Sequence, residues 1–479
     1  MKLRKILISV LLVVAMLSSM LMLFSCNKNK LAPDFVMPEK GFDTSKKVTI
    51  TFYHTMGSNL RDVLDAYIVE FNKLYPNIVI EHEQVGNYDD VRKTISTEIT
   101  VGNQPNIAYC YPDHVALYNM SQAVQTLDSL IDADKTVKDA LGNETVIGLT
   151  QAQKDDFIKG YYEEGMQFGD GKMYTLPLSK STEVLYYNKT FFEANNLQVP
   201  KTWDELEALC AKIKTIDPDC IPLGYDSESN WFITMCEQLG SKYTTATGEN
   251  NFLFNNQTNR DFVAKFRDWY KKGYVTTQEI SGGYTSELFT MAASEKGNSY
   301  MSIGSSAGAT HQRPEKVSGA YPFDVGIATI PQMNADNPKV ISQGPSLCIF
   351  KKADPQEVLA SWLFVKYLTT TVEFQAEFSM VSGYVPVIKS VKDHPVYADF
   401  LEKADGGDRI AALSATVCLE QEHAYYTSPA FNGSSVARDQ VGYLIQTCLV
   451  ADWKDAEVAD KIKSEFAKAV KECNYQIGK

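Results

Sequence analysis

Two hydrophobic periods alternate along this chain, and the switches between them outline its elements. Val48-Thr-Ile-Thr-Phe-Tyr53 reads as a strand, and Leu60, Val63, Leu64, Tyr67, Ile68, Phe71, Leu74 and Tyr75 then fall on one helical stripe. Pro76 stops that helix, and Ile78-Val-Ile80 is the next strand. Strand, helix and strand at this spacing imply a right-handed crossover and a parallel sheet. A turn at Gly86-Asn87-Tyr88 precedes a helix over 89–101, and 105–111 is a third strand ending at Pro112-Asp113-His114. Such strand ends form the carboxyl edge where open α/β sheets bind ligands.

The stretch from Tyr174 to Leu206 has a different character. Thr175-Leu176-Pro177-Leu178 is extended, Ser179 to Thr182 is short and polar, and Val184-Leu185-Tyr186-Tyr187 has the β-branched and aromatic composition of a buried strand. Asn188 is placed to cap the helix carrying Phe191 and Phe192. Thr202 and Glu205 have capping-box spacing before a helix whose Leu206, Leu209, Cys210 and Ile213 share a face. Further on, helices are expected over 260–272 and 355–368, and short strands at 300–303, 324–331 and 347–350. Gly383-Tyr384-Val385-Pro386-Val387 is a second extended crossover candidate. No internal repeat or low-complexity tract is visible.

Length and charge narrow the class. At 479 residues the chain exceeds one typical core, so two lobes are the expectation. A net charge of −13 argues against a nucleic-acid partner and against a basic membrane-binding face. Lys2, Arg4 and Lys5 followed by an apolar run from Ile6 to Phe24 form an export signal. Leu23-Phe24-Ser25-Cys26 resembles a bacterial lipobox, with Phe24 bulkier than usual, which makes 1–25 the leader, Cys26 the lipidated residue and 26–47 a tether. An uncleaved membrane anchor is the alternative. The other eight cysteines include no CxxC pair; most read as free buried thiols, and a disulfide stays open.

Candidate chemistry is sparse. Gly304-x-Ser306-x-Gly308 matches the nucleophile elbow of serine hydrolases, and three histidines follow at 311, 394 and 423; the other reading is a small-residue turn facing a ligand. His54, His82 and His114 stand isolated, so no metal site is expected, and no Walker or dinucleotide loop implies a cofactor. What remains is polar and aromatic residues at loop ends: Tyr88, Asp113, Ser181, Trp231, Ser305, Ser306, Gly344, Tyr384 and Arg438. Aromatic faces with flanking hydroxyls suit sugars and polyols, and Arg438 offers a fork for phosphate or carboxylate.

The segments LPLSKSTEVLYYNK and PKTWDEL resemble the signature of family 1 of the extracellular solute-binding proteins that serve ABC sugar importers. TFYHTM, VGNYDD, SIGSSAGA, SQGPSL, SGYVPV and VARDQ are similar, in order, to its glycerol-3-phosphate-binding branch. The resemblance implies an α/β, two-lobe periplasmic-binding-protein fold of type II, with an interlobe cleft and several hinge crossovers. Lobe 1 is then expected at 46–182 plus 344–384, and lobe 2 at 183–343 plus 385–479. It also implies ligand contacts at Tyr88, Ser181, Trp231, Ser305 or Ser306, Gly344, Tyr384 and Arg438. Where the branch has an acidic residue after the third strand, this chain reads Tyr111-Pro112-Asp113, with Asp113 shifted by one. The implied role is capture without chemistry by a lipid-anchored, extracytoplasmic monomer. It would take a sugar or phosphorylated polyol and deliver it to ABC permease subunits. A serine hydrolase using Ser306 and a surface adhesin are the alternatives.

Overall fold

The computed structural model describes residues 32–290 and 299–479, so the expected leader and Cys26 lie outside the described residues. Strand β1 (Val48–His54), helix α1 (Ser58–Leu74), strand β2 (Ile78–Gln84), helix α2 (Tyr88–Val101) and strand β3 (Ile107–Cys110) form the crossovers that the periodicity predicts. β1 runs parallel to both β2 and β3. Helix α3 (Pro112–Asn119) follows at once, with proline in its first turn where no N–H partner is needed. The chain then reaches β4 (Thr175–Pro177) and β5 (Ser181–Asn188).

β5 is the central strand of a second sheet. Asn188 caps the next short helix through Phe191 N (2.8 Å). The Thr202–Glu205 capping box opens α4 (Trp203–Ile216), as its spacing predicts. Then come β6 (Leu223–Tyr225), α5 (Glu228–Gln238), α6 (Gln257–Lys271), β7 (Val275–Thr277), β8 (Met301–Ser305), β9 (Val325–Thr329) and β10 (Val340–Gln343). The chain returns to the first lobe through β11 (Ser346–Ile349), α7 (Pro355–Thr370), α8 (Val372–Ser382) and α9 (Pro395–Glu402). It ends in the second with α10 (Ile410–Glu420), β12 (Tyr425–Tyr426), α11 (Ser434–Val450) and α12 (Val458–Gln476). The first sheet has the order β2-β1-β3-β11-β4; the second has β12-β10-β5-β8-β6-β7, with β9 also paired to β5.

Each sheet carries its own core. Phe52, Phe71, Trp362 and Phe364 fill the first, and Trp203, Trp231, Phe266 and Trp269 the second. Two expected boundaries move. Val387, Ile388, Val391 and Tyr397 pack into the first core, so the last crossing lies between α9 and α10, not at 385. The chain touches the second lobe at Val385 and turns back, because the apolar side chains after it complete the packing beside α8. The expected tether is also docked in part: Phe42 is buried against Tyr75, and Lys351 and Lys46 pair with Asp34 and Asp354.

His54 and His82, isolated in sequence, meet because β1 and β2 run in parallel register: His54 Nε2 lies 2.8 Å from His82 Nδ1, and His82 Nε2 2.7 Å from Asp65. All eight described cysteines are buried free thiols. Among the described residues no helix is long and apolar enough to cross a membrane.

Three chain segments lie side by side between the lobes. Ser181 pairs with Gln343 and Thr182 with Ser342, and Lys180 bridges Val385. Lys180 is fully buried, and its ammonium donates to both Glu164 oxygens (2.7 and 2.8 Å), to the Gly344 carbonyl (3.1 Å) and to Ser346 Oγ (2.9 Å). Burial pushes the Glu164 carboxyl up, against the pull of Lys180. Gly344 sits at φ +99°, and a Cβ there would come within 2.7 Å of the Ser179 carbonyl, so the second crossing requires glycine.

Removing one partner of the buried pair leaves the other charge uncompensated. Lys180→Met and Glu164→Gln should each cost about 3–5 kcal/mol in urea denaturation, and Lys180→Met/Glu164→Leu should recover most of that loss. Single variants as stable as the parent would show that the pair does not hold the crossing.

Candidate ligand-binding site

The site is assembled by loops and helix starts at the cleft between the sheets. Asn87 caps α2, accepting from Asp89 N (2.9 Å) and Asp90 N (3.1 Å) while Asp90 Oδ2 accepts from Asn87 N (3.0 Å). This capping box fixes Tyr88 at the first helical position. There its ring lies 4.6 Å from Tyr111, and its hydroxyl shares hydrogen bonds with Tyr384 and Tyr111. Burial raises the Tyr88 and Tyr384 phenols above their ordinary range. They therefore act here as neutral donors and acceptors. Asp113, in the first turn of α3, faces the same space.

From the opposite lobe, Arg438 near the start of α11 reaches across to this wall. Tyr111, Asp113 and Arg438 together line a cavity of about 210 Å³, closed by Tyr243, Thr244, Ser342, Gln343 and Ser434 and backed by Glu164. Four of its polar groups have no hydrogen-bond partner among the described residues: Tyr243 Oη, Thr244 Oγ1, Ser342 Oγ and Gln343 Nε2. A buried polar group left unpaired costs about 1–3 kcal/mol, and these four, carried by residues of the cavity wall, are shielded from the open space in this arrangement.

Gln343 also borders a second chamber of about 600 Å³, lined by Glu183, Asp226, Asn230, Ser305 and Gln312. A hydrogen-bonded chain joins the two spaces. Arg438 Nη2 donates to Asn230 Oδ1 (2.6 Å), Asn230 Nδ2 donates to Glu183 Oε1 (3.1 Å), and the Tyr225 hydroxyl donates to Glu183 Oε2 (2.6 Å). Burial pushes the Glu183 carboxyl up to about 7, with Tyr225, Asn230 and Arg438 pulling it back down.

The residues expected at the site divide accordingly. Tyr88, Asp113, Tyr384 and Arg438 gather at the cleft, and Ser305 lines the second chamber while its Oγ accepts from Ala307 N. Ser181 and Gly344 lie in the hinge ladder, where Gln343, not its partner Ser181, forms cavity wall. Two placements correct the expectation. Trp231 is fully buried, its ring stacked 3.7 Å from Phe266 and 5.1 Å from Tyr225 in the second core. Its helical neighbour Asn230, about 100° round the axis, takes the cleft-facing position. Ser306 is likewise buried; its Oγ accepts from Thr182 N (3.1 Å) and is bonded to the Cys418 thiol, with no imidazole in that network. The nucleophile-elbow pattern is thus a structural turn.

Sequence reasoning passed over Glu183, Asp226, Asn230, Tyr243, Gln312, Ser342 and Gln343. Only Glu183 carried a signal, as the one charge inside an apolar strand.

Comparisons with known proteins agree with this architecture. A family model for bacterial extracellular solute-binding proteins matches residues 66–403. The sn-glycerol-3-phosphate-binding periplasmic protein UgpB of Escherichia coli K12 is 27% identical over 378 residues, covering 75% of this chain and 79% of that protein. Among solved structures, UgpB from Mycobacterium tuberculosis in complex with glycerophosphocholine superposes with a TM-score of 0.67 at 16% identity, over 90% of this chain and 99% of that one. The sugar-binding protein MalE from Xanthomonas citri gives 0.69 at 17%, with the same coverage. The lobed fold, the cleft between the lobes and the matched family model agree: this chain belongs to the bacterial extracellular solute-binding protein family.

Proposed function

We propose that this protein captures a sugar or a glycerol-3-phosphate-type solute in the cleft by hinge closure and delivers it to an ABC permease, without transforming it. The observation that carries this is the cavity walled by both lobes, which Tyr111, Asp113, Ser342, Gln343 and Arg438 line together. A ligand contacting both walls favours the closed arrangement by its differential affinity for it. Tyr88, Asp113, Tyr384 and Arg438 are the contacts we assign to the cleft, with Ser305 at its extension. The relatives named for sn-glycerol-3-phosphate and sugar binding support the solute class. No step needs a cofactor, metal or nucleic acid. In this reading the mature chain is a monomer, tethered outside the cytoplasm through lipidated Cys26.

Calorimetry of the mature domain against sn-glycerol-3-phosphate, glycerophosphodiesters and maltose-type sugars tests the reading, with small-angle scattering for compaction. We expect heat and a smaller radius of gyration with one class; neither signal with any of them would overturn it. For a phosphorylated ligand, Arg438→Ala should weaken binding by about tenfold or more, the cost of one charge-assisted contact. Trp231→Ala should instead cost about 3–5 kcal/mol of stability as a core cavity. Labelled palmitate should enter the full chain expressed in a bacterial host and be lost in Cys26→Ser; labelling that persists in the variant would move the lipid elsewhere.

A further inference from the structure

Two histidines that no role in the cleft accounts for lie behind its first-lobe wall. His54 closes β1 and is fully buried, and His82 on β2 sits diagonally across the parallel ladder on the same face. Their hydrogen bonds fix where the ring protons are. Met56 N donates to His54 Nδ1 (3.1 Å), so the His54 proton is on Nε2 and is donated to His82 Nδ1 (2.8 Å). The His82 proton is then on Nε2 and goes to Asp65 Oδ1 (2.7 Å). Every nitrogen of the two rings is used, each in one direction. The charged and titratable groups facing the pair are Asp65 and Arg61 on α1 and Tyr109 on β3; Arg61 Nη1 donates to Gln84 Oε1 (2.8 Å), opposite His54 in the ladder. Helix α7 brings the apolar Phe364 against Phe52, while Tyr53, Glu83 and, from α2, Glu98 gather on the opposite face of the strands.

The same end of β1 holds the turn that presents Tyr88. The His54 carbonyl accepts from Val85 N (2.8 Å), directly ahead of the Asn87 capping box. The Tyr109 ring lies 6.0 Å from His54 and is stacked at 6.4 Å on Tyr88. We propose that the His54–His82–Asp65 chain positions Tyr88 only while both rings are neutral, so that acid loosens this cleft wall and weakens solute binding. The effect on solute rests on the capture reading; the coupling of the chain to the Tyr88 turn does not. A second proton on His82 turns its Nδ1 from acceptor to donor, against the N–H of His54. His54 can answer only by moving its own proton to Nδ1, where it opposes Met56 N–H. One hydrogen bond at the end of β1 is lost either way. Burial and the neighbouring His82 hold His54 down to about 3, so the added proton stays on His82, whose side chain is 17% exposed.

Measurements on the purified mature chain between pH 8 and 5, the ordinary histidine range, test this. In nitrogen-15 spectra of the histidines at pH 8 both rings should carry their proton on Nε2; a proton on Nδ1 of either ring overturns the chain. Protection of the Val85 amide against hydrogen exchange, corrected for its intrinsic rate, should fall about fivefold from pH 8 to 5, the worth of one neutral hydrogen bond. Affinity should weaken by a similar factor for whichever of maltose and glycerophosphoglycerol binds at pH 8, neither of which titrates in this range. His82→Gln keeps an acceptor for His54 and takes no proton. It should flatten both profiles and bind within about twofold of wild type at pH 8. A flat wild-type exchange profile overturns the proposal, and so does an equally steep one in His82→Gln. Where that variant fails to fold, Asp65→Asn decides, at a side chain 59% exposed. It keeps an acceptor for His82 and removes the charge that favours the added proton, so the midpoint of the exchange profile should move to lower pH, and an unmoved midpoint overturns the proposal. A pH-dependent exchange beside a pH-independent affinity overturns the link to solute. Spectra and exchange need no ligand, so absence of binding by both solutes counts against the capture reading and leaves the coupling to be decided by them.

Discussion

The structure depends on one buried charge pair at the junction of its lobes. Lys180 stands at the first crossing between sheets, with no exposed surface, and spends its three donors on Glu164, Ser346 and the Gly344 carbonyl. Removing two such charges from water is costly, and the pair is tolerable only because each remaining hydrogen-bonding site is filled. The same contacts bind the first crossing to the second. Gly344 has its carbonyl on Lys180 and its Cα against Ser179, so no side chain fits there. The hinge is thus a place where electrostatics, glycine conformation and strand pairing determine one another. The ligand cavity begins at the other side of Glu164.

Much of the fold was legible where single helices carry a clear apolar stripe or their own caps. The stripe from Leu60 to Tyr75 and the capping box at Thr202 and Glu205 each had a local cause that nothing tertiary overrode. Lobe assignment was less legible. Val387, Ile388 and Val391 are apolar and would serve either core; only the space left beside α8 decides that they complete the first. Phe42, in a stretch whose prolines and polar residues read as a tether, is buried for the same kind of reason.

The site was legible by neighbourhood and not by side chain. Trp231 and Ser306 pointed to the right segments, yet the adjacent residue faces a different way, about 100° round the helix for Asn230 and at the strand end for Ser305, so those two hold the cleft positions. The unpaired groups of Tyr243, Thr244, Ser342 and Gln343 had no sequence signature at all. Their meaning arises from distant segments meeting round one cavity, and hydroxyls and amides are ordinary loop residues elsewhere. Tyr88, Tyr384 and Arg438 stood out as polar and aromatic residues at loop ends, and resemblance to a family then implied that they contact ligand.

Asn230 shows how the two spaces become one site. Its amide accepts from Arg438 through oxygen and donates to Glu183 through nitrogen, so its orientation is fixed by opposite charges on its two sides. A flipped amide would set its N–H groups against the guanidinium and its oxygen against the carboxylate. Because the group cannot turn without losing both bonds, it holds the charges apart as separate recognition elements and prevents their collapse into a direct ion pair. An Arg438 neutralised directly by Glu183 would have little left to offer an anionic ligand. That the guanidinium stays separate from the buried carboxyl follows from that single side chain.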